Sequence, residues 1–84
     1  MTHYRKKPVV VEAMLYKGEC NYKDVCAFVG EELFMEYYET DQILIVPNVA
    51  GELRADKGDF IIKGLDGEFY PCKPNIFDQT YEKV

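Results

Sequence analysis

The alternation of apolar and polar positions divides the chain into short elements of two different periods. Residues 8–16, PVVVEAMLY, put Val9, Val11, Ala13 and Leu15 on one face of an extended segment and Val10, Glu12, Met14 and Tyr16 on the other, which predicts a strand. Both faces are largely apolar, so this strand is expected at the centre of a sheet or under a second layer. The period then lengthens. Tyr22, Val25, Cys26 and Val29 share one helical face, Asn21 stands at the N-cap with Asp24 three residues on, and Gly30 occupies the expected left-handed stop. Residues 33–39 (LFMEYYE) and 42–46 (QILIV) read as antiparallel strands joined at the polar Thr40-Asp41 and bounded by Pro47-Asn48, with the second apolar enough to be central. Residues 52–55 (ELRA) form a further short strand, and Asp56-Lys57-Gly58-Asp59 is a turn by composition.

The stretch from Gly58 to Pro74 organises the rest as a β-hairpin. Phe60, Ile61 and Ile62 suit a pleated surface, Gly64, Asp66 and Gly67 supply turn chemistry, and Pro71 cannot donate to a ladder, so its arm should end there or lie at an edge. After Pro74, Asn75 and Asp78 repeat the Asn-x-x-Asp spacing. A terminal helix is expected to pack Ile76, Phe77 and Tyr81 on the sheet. The elements together predict an α+β fold: a small, curved, mostly antiparallel sheet of about five or six strands, open or barrel-like, with one packed helix and a C-terminal helical turn.

Length changes this picture by setting its scale. Eighty-four residues hold one domain, 1–84, whose modest core leaves room for homodimer formation. Seven tyrosines and five phenylalanines point to a half-exposed aromatic layer or a binding face, because a buried tyrosine must still satisfy its hydroxyl. The net charge of −5 disfavours nonspecific binding to nucleic acid. Charge is also uneven, with Arg5, Lys6 and Lys7 near the start and Glu31, Glu32, Glu36, Glu39 and Asp41 in a run without a basic residue. Three cysteines, Cys20, Cys26 and Cys72, lie in no metal-ligand spacing and fit a reduced compartment. No apolar run approaches the length of a membrane span, and the basic start does not continue into a signal peptide, so a cytoplasmic protein is expected.

Candidate chemistry is sparse. His3 is the only histidine and lies near a terminus, so a Ser-His-Asp or Cys-His arrangement has little to build on. The acidic run reads better as a solvated face than as paired catalytic carboxylates, and Gly64-x-x-Gly67 lacks the glycines and following helix of a phosphate loop. Asp56, Asp59, Asp66 and Glu68 surround the two turns of the hairpin region and offer an alternative, a metal-dependent hydrolase or nucleotide-processing site, although turns call for the same residues. No cofactor or structural metal is expected. The cations Arg5, Lys6, Lys7, Arg54, Lys63 and Lys73, with Tyr70 as a stacking surface, form the candidate ligand-binding set for an anionic partner, sited where Pro71 interrupts the ladder.

Two blocks carry a resemblance: YRKKPVVVEA at residues 4–13 and KGDFIIKGLDGEFYPCKPNIFDQTYE at residues 57–82. Together they resemble a family of small bacteriophage and prophage proteins that carry Pro-Gly-Asp followed by Trp or Tyr, an apolar run, a Gly-x-x-Gly turn and a Tyr-Pro. Here Lys57 stands at the usual proline and Phe60 at the usual Trp or Tyr. The resemblance implies an accessory protein acting in the cytoplasm of a bacterial host and contributes no catalytic residues. The expected function is therefore noncatalytic: binding a host factor or sequestering a nucleotide signal, as in counter-defence. A virion or structural subunit is the third alternative.

Overall fold

The computed structural model describes all 84 residues. It is an α+β structure with the strands β1 (Glu12–Leu15), β2 (Met35–Tyr38), β3 (Asp41–Asn48), β4 (Gly51–Ala55), β5 (Phe60–Lys63) and β6 (Phe69–Cys72). Two helices complete it, α1 (Tyr22–Val29), entered through a 3-10 turn at Gly18–Asn21, and α2 (Pro74–Thr80). The strands form two antiparallel three-stranded sheets, ordered β1-β5-β6 and β2-β3-β4, which do not close into a barrel.

Side-chain alternation explains why there are two sheets. In β3, Leu44 and Val46 point inward and meet Ala55, Ile61, Val25, Leu33 and Tyr16 in one buried cluster, with Met14 and Phe69 packed against it. That cluster lies between the sheets, so each sheet gives it one face. The other face of β1-β5-β6 carries Phe60, Ile62 and Tyr70, and α2 covers it: the Phe60 and Phe77 rings stack at 3.8 Å, and the Phe77 and Tyr81 centroids are 5.1 Å apart. The outer face of β2-β3-β4 has no helix over it. Instead Glu36, opposite Ile43, reaches Arg54, opposite Ile45, in an ion pair of 2.5 Å that spans β3. The aliphatic stems of such a pair cover apolar surface while their heads stay in water, and Ile43 and Ile45 are accordingly only 9% and 8% exposed.

Several expectations hold. β3 is central, residues 58–74 contain the β5–β6 hairpin with Pro71 on its edge strand, and Gly30 caps α1 in the left-handed conformation at φ 95°. Others need correction. The strand predicted over 8–16 is paired only from Glu12 to Leu15 and lies at an edge, with Val9 and Val10 exposed, because β5 has β6 on its other side and nothing pairs with the preceding residues. Asn21 occupies the N-cap position without capping. Its amide accepts from the Lys17 backbone N–H at 2.8 Å and donates to the Leu15 carbonyl at 2.7 Å, tying the 3-10 turn back to β1. At α2 the N-cap is Lys73, two residues earlier than an Asn75 cap requires, because Pro74 suits the first helical position, where no N–H is needed. Ile76 is 49% exposed, so Phe77 and Tyr81 do the packing. β3 also runs through Pro47 and Asn48, past its expected boundary.

Candidate functional site

The predicted cations are distributed by strand register. β1 runs antiparallel to β5 with Glu12 opposite Lys63, so the chain before β1 departs beside the Gly64–Gly67 turn. Arg5, Lys6 and Lys7 are exposed on that segment, and the Lys6 ammonium lies 5.4 Å from the Tyr81 ring centroid. The Tyr81 and Tyr70 hydroxyls are 3.4 Å apart. Hydrogen bonding to Tyr81, with burial next, pushes the Tyr70 phenol up to about 12. Lys6, Tyr70 and Tyr81 thus gather at the turn end of the hairpin, with Lys63 exposed at the same end.

Lys73 stands at the opposite end. It follows Cys72, whereas Lys63 pairs with Phe69, which separates the two lysines by about 13 Å along the strand at roughly 3.3 Å per residue. The Lys73 ammonium contacts Asp56 at 2.6 Å and Asp59 at 3.0 Å. Asp59 is 2% exposed, and its carboxylate also accepts from the Asp56 backbone N–H at 2.9 Å. The same turn joins the sheet core through Tyr16, whose N–H donates to the Asp59 carbonyl and whose carbonyl accepts from Gly58, both at 2.8 Å. Arg54 is engaged too, paired with Glu36 and 5.8 Å from the Tyr38 ring centroid. Lys73 and Arg54 therefore serve the fold, and neither adjoins the Lys6–Tyr81–Tyr70 group.

The carboxylates of the alternative metal site are engaged with backbone N–H groups and with Lys73. Asp66 accepts from the Glu68 backbone N–H at 3.0 Å, and Glu68 accepts from the Val49 N–H at 2.6 Å. No three His, Cys, Asp or Glu side chains gather at metal-binding spacing.

Concave surface is found elsewhere. A cleft of about 530 Å³ opens between the 3-10 turn, the start of α1 and β2, where Glu19, Tyr22, Asp24, Met35 and Tyr37 form its walls with Lys23 at the lining. A second, shallower one of about 580 Å³ lies across α1, between Met14, Leu15, Lys17, Asp24 and Phe28. The first cleft carries two carboxylates, Glu19 and Asp24, against the single ammonium of Lys23, and both of its phenols are raised. Tyr37 is raised by Glu19 as hydrogen-bond partner, then by desolvation. Tyr22 is pushed up to about 12 by hydrogen bonding to Cys26, then by desolvation, with Glu32 among the charges that add to it. The Tyr22 hydroxyl also donates to the Leu33 carbonyl, holding its ring against the chain that leads into β2.

Beside this cleft β2 is an edge strand, and it and the residue before it expose three aromatic side chains. Phe34, Tyr37 and Tyr38 are 69%, 59% and 51% exposed. The sequence-derived site contains none of them. Adjacent tyrosines in one strand must face opposite sides, so an edge position leaves at least one in solvent; that signal was present in Tyr37-Tyr38, but the edge position was not. No helix is long and apolar enough to cross a membrane. No protein-family model, curated protein or solved structure matches the chain.

Proposed function

We propose that this chain is a noncatalytic phage or prophage accessory protein that works in the bacterial cytoplasm by binding a host protein, with counter-defence as its purpose. The observation that carries the binding mode is the exposed aromatic group of Tyr37 and Tyr38 on an edge strand with Phe34 just before it, since large aromatic side chains supply contact area at low entropic cost and dominate protein interfaces. The phage source rests on the resemblance of residues 4–13 and 57–82. A host protein is favoured over a nucleotide because the cleft beside β2 carries Glu19 and Asp24 against Lys23 alone, and that balance of charge opposes phosphate.

The test is capture from bacterial cells expressing tagged protein, comparing wild type with a folded Phe34→Ser/Tyr38→Ser variant. A host protein retained at micromolar concentration by the first and released by the second supports the reading. If neither variant retains one, or both retain the same one equally, the reading fails. Recovery of the chain in purified particles would transfer it to the virion class.

A second reading has one observation in its favour: Lys6, Tyr70 and Tyr81 adjoin at the hairpin turn, where a cation and two phenols suit an anionic nucleotide. Titration with AMP and cyclic dinucleotides tests it. Binding that weakens with salt and is lost in Lys6→Ala/Tyr81→Ala supports it, and no binding at millimolar ligand removes it.

A further inference from the structure

The cleft beside β2 has a chemistry more specific than the aromatic edge next to it. Its walls combine two phenol rings, Tyr22 and Tyr37, with the thioether side chain of Met35 and two carboxylates, Glu19 and Asp24. Among the lining residues Lys23 is the only cation, so acidic groups outnumber basic ones by two to one. The chain on either side of β2 carries Glu31, Glu32, Glu39 and Asp41 without a basic residue, while Glu36 within the strand faces the other side and is paired with Arg54. Tyr37 is more than half exposed, and it lines the same cleft as Glu19, which sets an aromatic face and a carboxylate in one concave surface.

Aromatic walls with carboxylates beside them select against phosphates and ordinary acidic side chains. They also suit a cation that is planar and weakly hydrated better than a compact ammonium, because the former stacks on a ring and bonds a carboxylate with two parallel N–H groups. A cleft of about 530 Å³ has room for one long side chain with its backbone at the rim. We propose that this cleft receives an arginine side chain presented by a protein partner, stacked on Tyr37 and bonded to Glu19. The inference rests on the protein-binding reading above and adds the chemistry of the contact: the partner surface is basic, and its anchor residue is arginine.

The test needs no knowledge of the partner. N-acetyl-arginine amide is titrated into isotopically labelled full-length protein and followed by amide chemical shifts, beside N-acetyl-citrulline amide, which keeps the shape and removes the charge. N-acetyl-lysine amide and AMP complete the series. Saturable shifts at Glu19, Tyr22, Asp24 and Tyr37 with arginine, at least threefold weaker with lysine and absent with citrulline and AMP, are expected. Glu19→Gln and Tyr37→Ala should each weaken arginine binding at least threefold while the remaining amide pattern is kept; Tyr37→Phe keeps the ring and should retain most of it. Equal shifts with citrulline, stronger shifts with AMP, or arginine shifts confined to other surfaces overturn the assignment. Because this readout involves the cleft alone, its failure would leave host-protein capture through Phe34 and Tyr38 standing, and failed capture would leave the cleft chemistry standing.

Discussion

Replacing Lys73 by alanine should destabilise the fold, and the structure sets the size of the loss. Lys73 bridges two carboxylates of very different environment: its own side chain is 54% exposed, that of Asp56 57%, and that of Asp59 3%. The exposed bridge to Asp56 is screened on both sides and contributes about 0–0.5 kcal/mol. The contact to Asp59 is a hydrogen bond between charged groups, worth about 1.5–3 kcal/mol when shielded, and half-exposure of the lysine reduces it to about 1 kcal/mol. Lys73→Ala should therefore cost about 1–1.5 kcal/mol, which lowers Tm by roughly 5–10 °C in a domain of this size. Asp59→Ala should cost more, about 2–3 kcal/mol, because it also removes the acceptor for the Asp56 N–H. Urea unfolding of the single and double variants measures both terms: coupling near 1 kcal/mol for Lys73 with Asp59 and below about 0.5 for Lys73 with Asp56 is expected. The alkaline limb gives an independent check. Hydrogen bonds to Asp56 and then Asp59 raise the Lys73 ammonium above its ordinary 10.5. A raised folded-state value means its contribution is whole below about pH 10.5 and is lost as pH rises through the folded value. The gap between wild type and Lys73→Ala should thus be constant from neutral pH to about 10 and narrow above 10.5. A Lys73→Ala protein within about 0.3 kcal/mol of wild type, or stronger coupling to Asp56 than to Asp59, would refute the reasoning.

Further outcomes follow from single contacts. Tyr16→Phe removes a buried hydroxyl that donates to the Gln42 carbonyl at 2.8 Å and should cost about 1 kcal/mol in urea unfolding. Desolvation pushes the Tyr16 phenol from 10.0 up to about 12, so its contribution to stability stands below pH 10 and is lost as pH rises towards 12; tyrosinate absorbance of Tyr16→Phe should lack one late-titrating group. Phe77→Ala breaks the ring stack with Phe60 and should cost about 2 kcal/mol, with hydrogen exchange accelerating first in Pro74–Thr80 while β3 stays protected. Glu39 is the one non-glycine residue at positive φ, 51°, so Glu39→Asn should stabilise the β2–β3 turn by about 0.5 kcal/mol, read as a raised midpoint in urea.

The candidate site was legible in proportion to how local its determinants were. Tyr70 and the N-terminal cations were expected near one another at the hairpin, and the structure places Lys6 over Tyr81, which touches Tyr70. Lys73 and Arg54 were legible as cations but not as partners of Asp59 and Glu36, because those contacts join residues 14 and 18 positions apart through turns and register. The cleft was illegible for the same reason. Glu19 and Tyr37 belong to different elements and meet only when the 3-10 turn folds over β2, and the hydrogen bond from the Glu19 N–H to the Gln42 side chain that fixes the turn spans 23 positions.

By itself the sequence determined the elements whose signals are short-range. Period and punctuation located α1 with Gly30 at its stop, the Asp56–Asp59 turn, the β5–β6 hairpin and the apolar run that becomes β3, since backbone conformational preference and side-chain alternation act within a few residues. Tertiary structure decided what alternation cannot order. It divided the six strands between two sheets, moved β1 to an edge, and assigned Asn21 to Leu15 and Lys17 instead of to the helix end. Each choice depends on which faces become buried together: Leu44 and Val46 had to meet Ile61 across the core, while Phe60 had to find Phe77 from α2 on the opposite side of the same strand. Burial is a property of the assembled faces, so its distribution emerges only when the distant elements meet.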